Sequence, residues 1–125
     1  MNTLYRTTIS EVGPEAPDML SGGVLILFEH GAPPELAEVS VMHRPAAKPG
    51  NAPSPGAILA IGDFTVKVTA VGDTAWKKVA DLGHVVISFN GASSAERPGE
   101  ICVETRDADE VAAALKPGAI LEFRG

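Results

Sequence analysis

A single cysteine, Cys102, is all the thiol chemistry the chain contains. That excludes an internal disulfide and a cysteine-rich zinc site, and it suits a reducing compartment. Basic residues are also scarce. Ten Lys and Arg stand against 16 Asp and Glu, for a net charge of −6 with histidine neutral. Neutralising nucleic-acid phosphates or binding an anionic membrane surface needs clustered Lys and Arg, so neither partner is expected. Long apolar runs are missing as well. None exceeds the five residues of Val24 to Phe28, against the roughly 20 that span a bilayer. Met1 to Glu11 is polar and β-branched and has no apolar core of the signal-peptide kind. The expectation is a cytoplasmic protein with no direct membrane insertion. Catalytic signatures are absent too: no G-x-S-x-G elbow, no Walker loop, no G-x-G-x-x-G after a strand and no H-E-x-x-H. The three histidines lie far apart without ligand-like neighbours, so no metal and no cofactor is expected.

What the chain does have is apolar residues in short, punctuated segments. Its 125 residues are 45% hydrophobic, enough for one domain over 1–125 and too few for two independent cores. Strands are expected at Leu4–Val12, Val24–Phe28, Val39–His43, Ala57–Ile61, Phe64–Val71, His84–Phe89, Glu100–Glu104 and Ala119–Phe123. Phe64, Val66, Val68 and Ala70 alternate with Thr65, Lys67 and Thr69, the period of a half-buried strand. Val24–Phe28 is continuous, like a strand buried on both faces. Between the segments lie Gly22-Gly23, Gly62-Asp63, Asn90-Gly91 and Pro-Gly pairs at Pro55, Pro98 and Pro117. Pro fixes φ and Gly accepts φ > 0, which suits tight turns.

Two short helices are expected. One is capped by Asp73 and runs to Leu82, with Trp76, Val79 and Ala80 on its apolar stripe and Gly83 as its stop. The other covers Ala108–Leu115 behind Asp107, with Glu110 completing a capping box. Many short strands with regular turns indicate an all-β fold, a small barrel or sandwich rather than a βαβ sheet. Pro55-Gly56-Ala57-Ile58-Leu59 recurs 62 residues later as Pro117-Gly118-Ala119-Ile120-Leu121, and Gly22–Phe28 lies at a similar spacing from Gly83–Phe89. That suggests two similar halves closing one pseudo-twofold barrel.

Among reactive side chains His43 is the most informative. It ends the strand Val39–His43 on the face of Val39 and Val41 and opens the Pro-rich stretch Arg44–Gly56. A strand end offers a rigid mount and an exposed tip, and neutral imidazole is a nucleophile at cellular pH. The plain alternative is an ordinary half-exposed histidine. His84 opens another strand, where it is either satisfied by a carbonyl or placed to assist a first imidazole. His30 reads as a solvated turn residue, Glu35 and Glu38 as a solvated face, Cys102 as a small core residue and Trp76 as a helix anchor.

Several segments in register resemble one family. They are Tyr5-x-Thr7-Thr8-Ile9, Leu25-Ile26-Leu27-Phe28-x-x-Gly31-Ala32-Pro33 and the Met42-His43 step. Thr69-Ala70-Val71-Gly72, Leu82-Gly83-His84-Val85, Phe89-x-Gly91 and Pro98-Gly99 follow in the same order. Together, from about Tyr5 to Phe123, they resemble the glucitol/sorbitol-specific enzyme IIA component of the bacterial phosphoenolpyruvate:sugar phosphotransferase system. The resemblance implies a phosphotransferase. It takes a phosphoryl group from the phosphocarrier protein HPr onto a histidine, here His43, and passes it to the IIB part of the IIB/IIC sorbitol permease. Relatives can carry a second histidine just after the first. This chain has Arg44-Pro45-Ala46-Ala47-Lys48-Pro49-Gly50 there, which leaves a helper role to His84; Arg44 and Lys48 either stabilise the phosphoryl oxygens or simply keep an acidic protein attractive to a partner. The competing class is a non-catalytic β-barrel that binds a partner or regulates, with His43 incidental.

Overall fold

The computed structural model describes residues 2–125. Its elements are β1 (Thr3–Val12), α1 (Ala16–Ser21), β2 (Val24–Glu29), α2 (Pro34–Ala37), β3 (Val41–Pro45), β4 (Ile58–Ile61), β5 (Phe64–Val71), α3 (Ala75–Leu82), β6 (Val85–Ser88), β7 (Glu100–Val103), α4 (Ala108–Ala114) and β8 (Ile120–Arg124). The eight strands form one closed barrel in the order β1-β3-β2-β6-β7-β5-β4-β8. The mainly β barrel matches expectation. Helices number four rather than one or two, because α1 and α2 are six and four residues long and carry no periodic stripe that a sequence could display.

Alternate residues of each strand fill the barrel. Tyr5, Ile9, Leu25, Leu27, Val41, Leu59, Ile61, Val66, Ile87, Ile101, Leu121 and Phe123 form one apolar core with Val79 of α3 and with Val111 and Leu115 at α4. Each fully buried aliphatic or aromatic side chain contributes about 1.5–3 kcal/mol relative to exposure. Cys102 is buried on the barrel wall, where its thiol donates to Glu100 Oε1 at 2.9 Å. Val24–Phe28 departs from expectation: Leu25 and Leu27 are buried, whereas Val24, Ile26 and Phe28 are only half-buried. Two neighbouring pairs, β2–β3 and β6–β7, run parallel, so the barrel is mixed and not a simple meander.

The two halves repeat. In the first, β1 pairs antiparallel with β3, and Ile9 lies opposite His43 beside a bulge between Ile9 and Glu11. In the second, β5 pairs antiparallel with β7, and Val68 lies opposite Val103 beside a bulge between Val68 and Ala70. Leu27 opposite Val41 matches Ile87 opposite Ile101. Tyr5 opposite Phe123 matches Phe64 opposite Ile61. The Pro-Gly turns match too, with Gly56 at φ 98° and Gly118 at φ 92°, each donating its N–H into the bulged strand, to Val68 and to Ile9. One detail differs from the sequence alignment. The register makes Gly23, not Gly22, the counterpart of Gly83, and that single residue decides which side chains face inward.

Gly13 and Gly72 are the clearest equivalent positions. A Cβ on Gly13 would strike the carbonyls of Ala37 and Glu38, and one on Gly72 those of Pro98 and Arg97. Backbone cannot yield as a side chain can. Gly13→Ala and Gly72→Ala should each cost about 1–3 kcal/mol, and similar amounts, by urea denaturation. A negligible cost at either site would contradict the packing described.

Candidate functional site

His43 does not end its strand. β3 continues through Arg44 and Pro45, so His43 sits mid-strand with Val41 on the inward face, and its side chain is 1% exposed. The expected exposed tip is therefore corrected. The strand reaches Pro45 because Thr7 of β1 lies opposite that residue and closes the ladder; a proline is tolerated at such a strand end.

Both ring nitrogens of the buried imidazole are engaged. Nε2 lies 2.6 Å from the Gly83 carbonyl oxygen. A carbonyl only accepts, so Nε2 carries the proton and donates. Nδ1 lies 2.6 Å from the Thr7 hydroxyl, which donates to it in the neutral ring. Gly83 offers its carbonyl because it ends α3 in the left-handed conformation, φ 61°. A side chain there would be strained and would meet Glu29 Cβ. Gly83 was legible in sequence as a helix stop, but its partner across the barrel was not.

An aromatic chain backs the ring. Tyr5 meets His43 edge-on at 6.3 Å, Trp76 meets Tyr5 at 5.8 Å, and Phe123 meets Trp76 at 5.4 Å. Trp76 Nε1 donates to the Gly50 carbonyl at 2.9 Å and so fastens the Pro-rich segment to α3. The apolar stripe of α3 is Ala75, Trp76 and Val79; Ala80 is exposed. Its N-cap is Thr74 rather than Asp73, without a side-chain cap bond. Asp107 caps α4 as expected, by accepting from the Asp109 N–H. Burial pushes the Tyr5 hydroxyl up to about 12, the Thr7 hydroxyl beside it acts the other way, and Glu29 adds to the rise. That hydroxyl is buried without a hydrogen-bond partner.

The other expected site residues are dispersed. His84 follows Gly83 in the chain, but its Nδ1 faces the Leu27 carbonyl at 2.9 Å and its ring lies on Phe28 at 4.9 Å. The two imidazoles thus share the Gly83-His84 dipeptide without a hydrogen bond between them. Arg44 is exposed and, next to His43 in a strand, points to the opposite face. Lys48 is exposed on the Pro-rich segment. His30 is exposed and meets the Ser10 hydroxyl at 2.9 Å.

The twofold relation separates what the barrel needs from what this site adds. The counterparts of Tyr5, Thr7 and His43 are Phe64, Val66 and Val103, which are apolar and buried. The same backbone therefore closes with three hydrocarbon side chains in one half and with a phenol, a hydroxyl and an imidazole in the other. Burying polar groups costs free energy that apolar residues do not cost, so folding alone does not call for this trio. Sequence reading found His43 and passed over Thr7 and Tyr5. The signal was there, in the inward alternation Tyr5-Thr7-Ile9.

The barrel is that of a phosphotransferase-system IIA component. It superposes with a TM-score of 0.77, at 20% identity, on the crystal structure of a PTS System IIA component from Enterococcus faecalis V583, covering 96% of this chain and 99% of that one. More specifically, the family model for the PTS system glucitol/sorbitol-specific IIA component matches residues 4–121, and the chain belongs to that family. It is 38% identical over 123 residues to the glucitol/sorbitol-specific EIIA components of Shigella flexneri and Escherichia coli (strain K12), covering 98% of this chain and 96% of each relative.

Burial holds the His43 pKa below its ordinary 6.5, against the opposing pull of the Gly83 carbonyl and Glu29. The unfolded chain therefore takes up the proton first as pH falls. The stability tied to this group is complete above pH 6.5 and is lost below it, down to the depressed folded value. Urea denaturation across pH 7 to 5 should show this loss in the wild type and a smaller one in His43→Gln. Parallel curves would remove the assignment.

Proposed function

We propose that residues 1–125 act as one cytoplasmic phosphoryl carrier of a sugar phosphotransferase system. It accepts phosphate on His43 from phosphorylated HPr and passes it to the IIB component of a glucitol/sorbitol permease. The observation that carries this reading is the polar trio around His43, where the other half of the barrel has Phe64, Val66 and Val103. The family and its glucitol/sorbitol relatives supply the substrate class.

The chemistry follows from the ring's surroundings. Nδ1 faces the fully buried Thr7, whereas Nε2 faces Gly83, flanked by Leu82 at 50% exposure and by half-buried His84. Nε2 is thus the nitrogen nearer a docked partner. In the transfer, the P–N bond of the donor's phosphohistidine breaks and its electron pair stays on the donor nitrogen. Once the resting Nε2 proton has gone to water and Nδ1 has been protonated in its place, the lone pair of His43 Nε2 forms the new P–N bond in line. The Gly83 carbonyl must first move off Nε2, so acceptance is coupled to a local shift at the end of α3. Arg44 and Lys48, exposed and outside the trio, draw a partner to an acidic protein rather than touch the reacting atoms. His84 stands at the same rim. With Nδ1 given to Leu27, its second nitrogen donates to a phosphoryl oxygen only in the doubly protonated ring.

Burial of His43 favours a second reading, a non-catalytic barrel that binds a partner. Incubation with phosphoenolpyruvate, enzyme I and HPr separates the two. The carrier gains the mass of one acid-labile phosphoryl group, and His43→Ala, folded, gains none. Full labelling of that variant, or no labelling of the wild type, would sink the proposal. On the same assay His84→Ala should slow transfer about a hundredfold while His84→Gln keeps part of the rate. Equal rates in all three would make His84 a structural residue.

A further inference from the structure

Thr7 is 0% exposed, and its hydroxyl is 2.6 Å from His43 Nδ1. Its counterpart in the second half is Val66, which has the same shape with a methyl in place of the hydroxyl. Beside it the Tyr5 hydroxyl is buried without a partner, and Tyr5's counterpart is Phe64, the same ring without the oxygen. Two residues whose hydroxyls the barrel does without in one half thus adjoin His43 in the other, Thr7 through its hydroxyl and Tyr5 through its ring edge. From this arrangement we infer that Thr7 is the positioning residue of His43, fixing its ring and setting which nitrogen holds the proton. The inference rests on His43 being the phosphoryl acceptor.

The resting bonds leave Nε2 protonated, and a protonated nitrogen has no lone pair for attack. When Gly83 moves off and water reaches the ring, Nε2 gives its proton to that water and Nδ1 takes one from it in the same exchange, so solvent neither gains nor loses a proton and the ring stays neutral. A hydroxyl suits this exchange because it can donate or accept. Thr7 Oγ1 donates to Nδ1 at rest and accepts from Nδ1–H afterwards. Its own hydrogen then turns to the Tyr5 oxygen, which has free lone pairs. A valine can do neither, and a carbonyl could do only the second. After transfer the phosphoryl group is on Nε2 and the proton remains on Nδ1, held by Thr7. Thr7 touches no phosphoryl oxygen and acts only through His43.

The test pairs a spectroscopic reading with a rate, on the full chain, using Thr7→Val and Thr7→Ser. In the wild type, ¹⁵N NMR of His43 should show a protonated Nε2 and an Nδ1 that accepts a hydrogen bond. Thr7→Val should shift Nδ1 to the value of an unbonded ring nitrogen. It should also slow labelling from phosphorylated HPr at least about tenfold, the scale of one lost hydrogen bond. Thr7→Ser should restore the Nδ1 signal and bring the rate back to within about threefold. A Thr7→Val protein that labels at the wild-type rate overturns the role, as does a wild-type Nδ1 without a hydrogen bond. The wild-type spectrum and Thr7→Ser decide the matter even if Thr7→Val fails to fold. A wild type that labels on another residue, or not at all, removes the acceptor reading itself. Normal labelling on His43 with an indifferent Thr7→Val removes Thr7 alone.

Discussion

Every strand of this barrel has a hydrogen-bonded neighbour on both sides, and the last link joins β1 to β8, the two ends of the chain. Closure of this kind leaves no sheet edge to protect. It also fixes the inward and outward alternation all round, since a slip of one residue on any strand would turn its apolar set to solvent. Tyr5, Thr7 and His43 face inward for that reason and no other. The site is a consequence of register: β1 against β8 sets Tyr5 beside Phe123, and β1 against β3 sets Ile9 beside His43.

A buried imidazole is tolerable only when both nitrogens are bonded, because an unbonded polar group in such a place costs about 1–3 kcal/mol. His43 meets that condition with one neighbour from β1 and one from the end of α3. The two bonds differ in what can break them. Thr7 belongs to the continuous ladder of the barrel wall. Gly83 lies past a helix end, with Leu82 exposed beside it. The ring is therefore held at Nδ1 from the barrel wall and at Nε2 from a helix end.

The sequence displayed the strands well, because short apolar runs separated by Pro-Gly and Gly-Gly leave little else for the chain to do. It also displayed the internal repeat through Pro55-Gly56 and Pro117-Gly118. The burial of His43 was legible in part: Val41 and His43 share a face, and a face that buries one valine buries its neighbour. The prolines after His43 suggested a strand end instead, although Pro45 is simply the last residue of the ladder. The Gly83 carbonyl was not legible at all. Forty residues separate it from His43, and no local pattern encodes a contact made by closing a barrel. Arg44 adjoins His43 in the chain yet turns away from it, since adjacency in a strand means opposite faces.

The two ends of the barrel are covered differently. Between β7 and β8 the chain forms α4, which buries Val111, packs on α1 and is followed by buried Leu115. The equivalent span between β3 and β4 is the Pro-rich segment, with no regular structure. Backbone bonds hold it, Ala46 N–H to Arg6 and Gly50 N–H to Leu4, together with the Trp76 bond to Gly50. Pro53 and Ala57 are its buried side chains. Proline cannot donate a backbone hydrogen bond, so Pro49, Pro53 and Pro55 keep this span from becoming a second helix like α4. Local opening is easiest where few apolar side chains are buried. The half of the barrel that carries the polar trio is also the half whose cover has no regular structure, so both departures from the twofold fall in the same half.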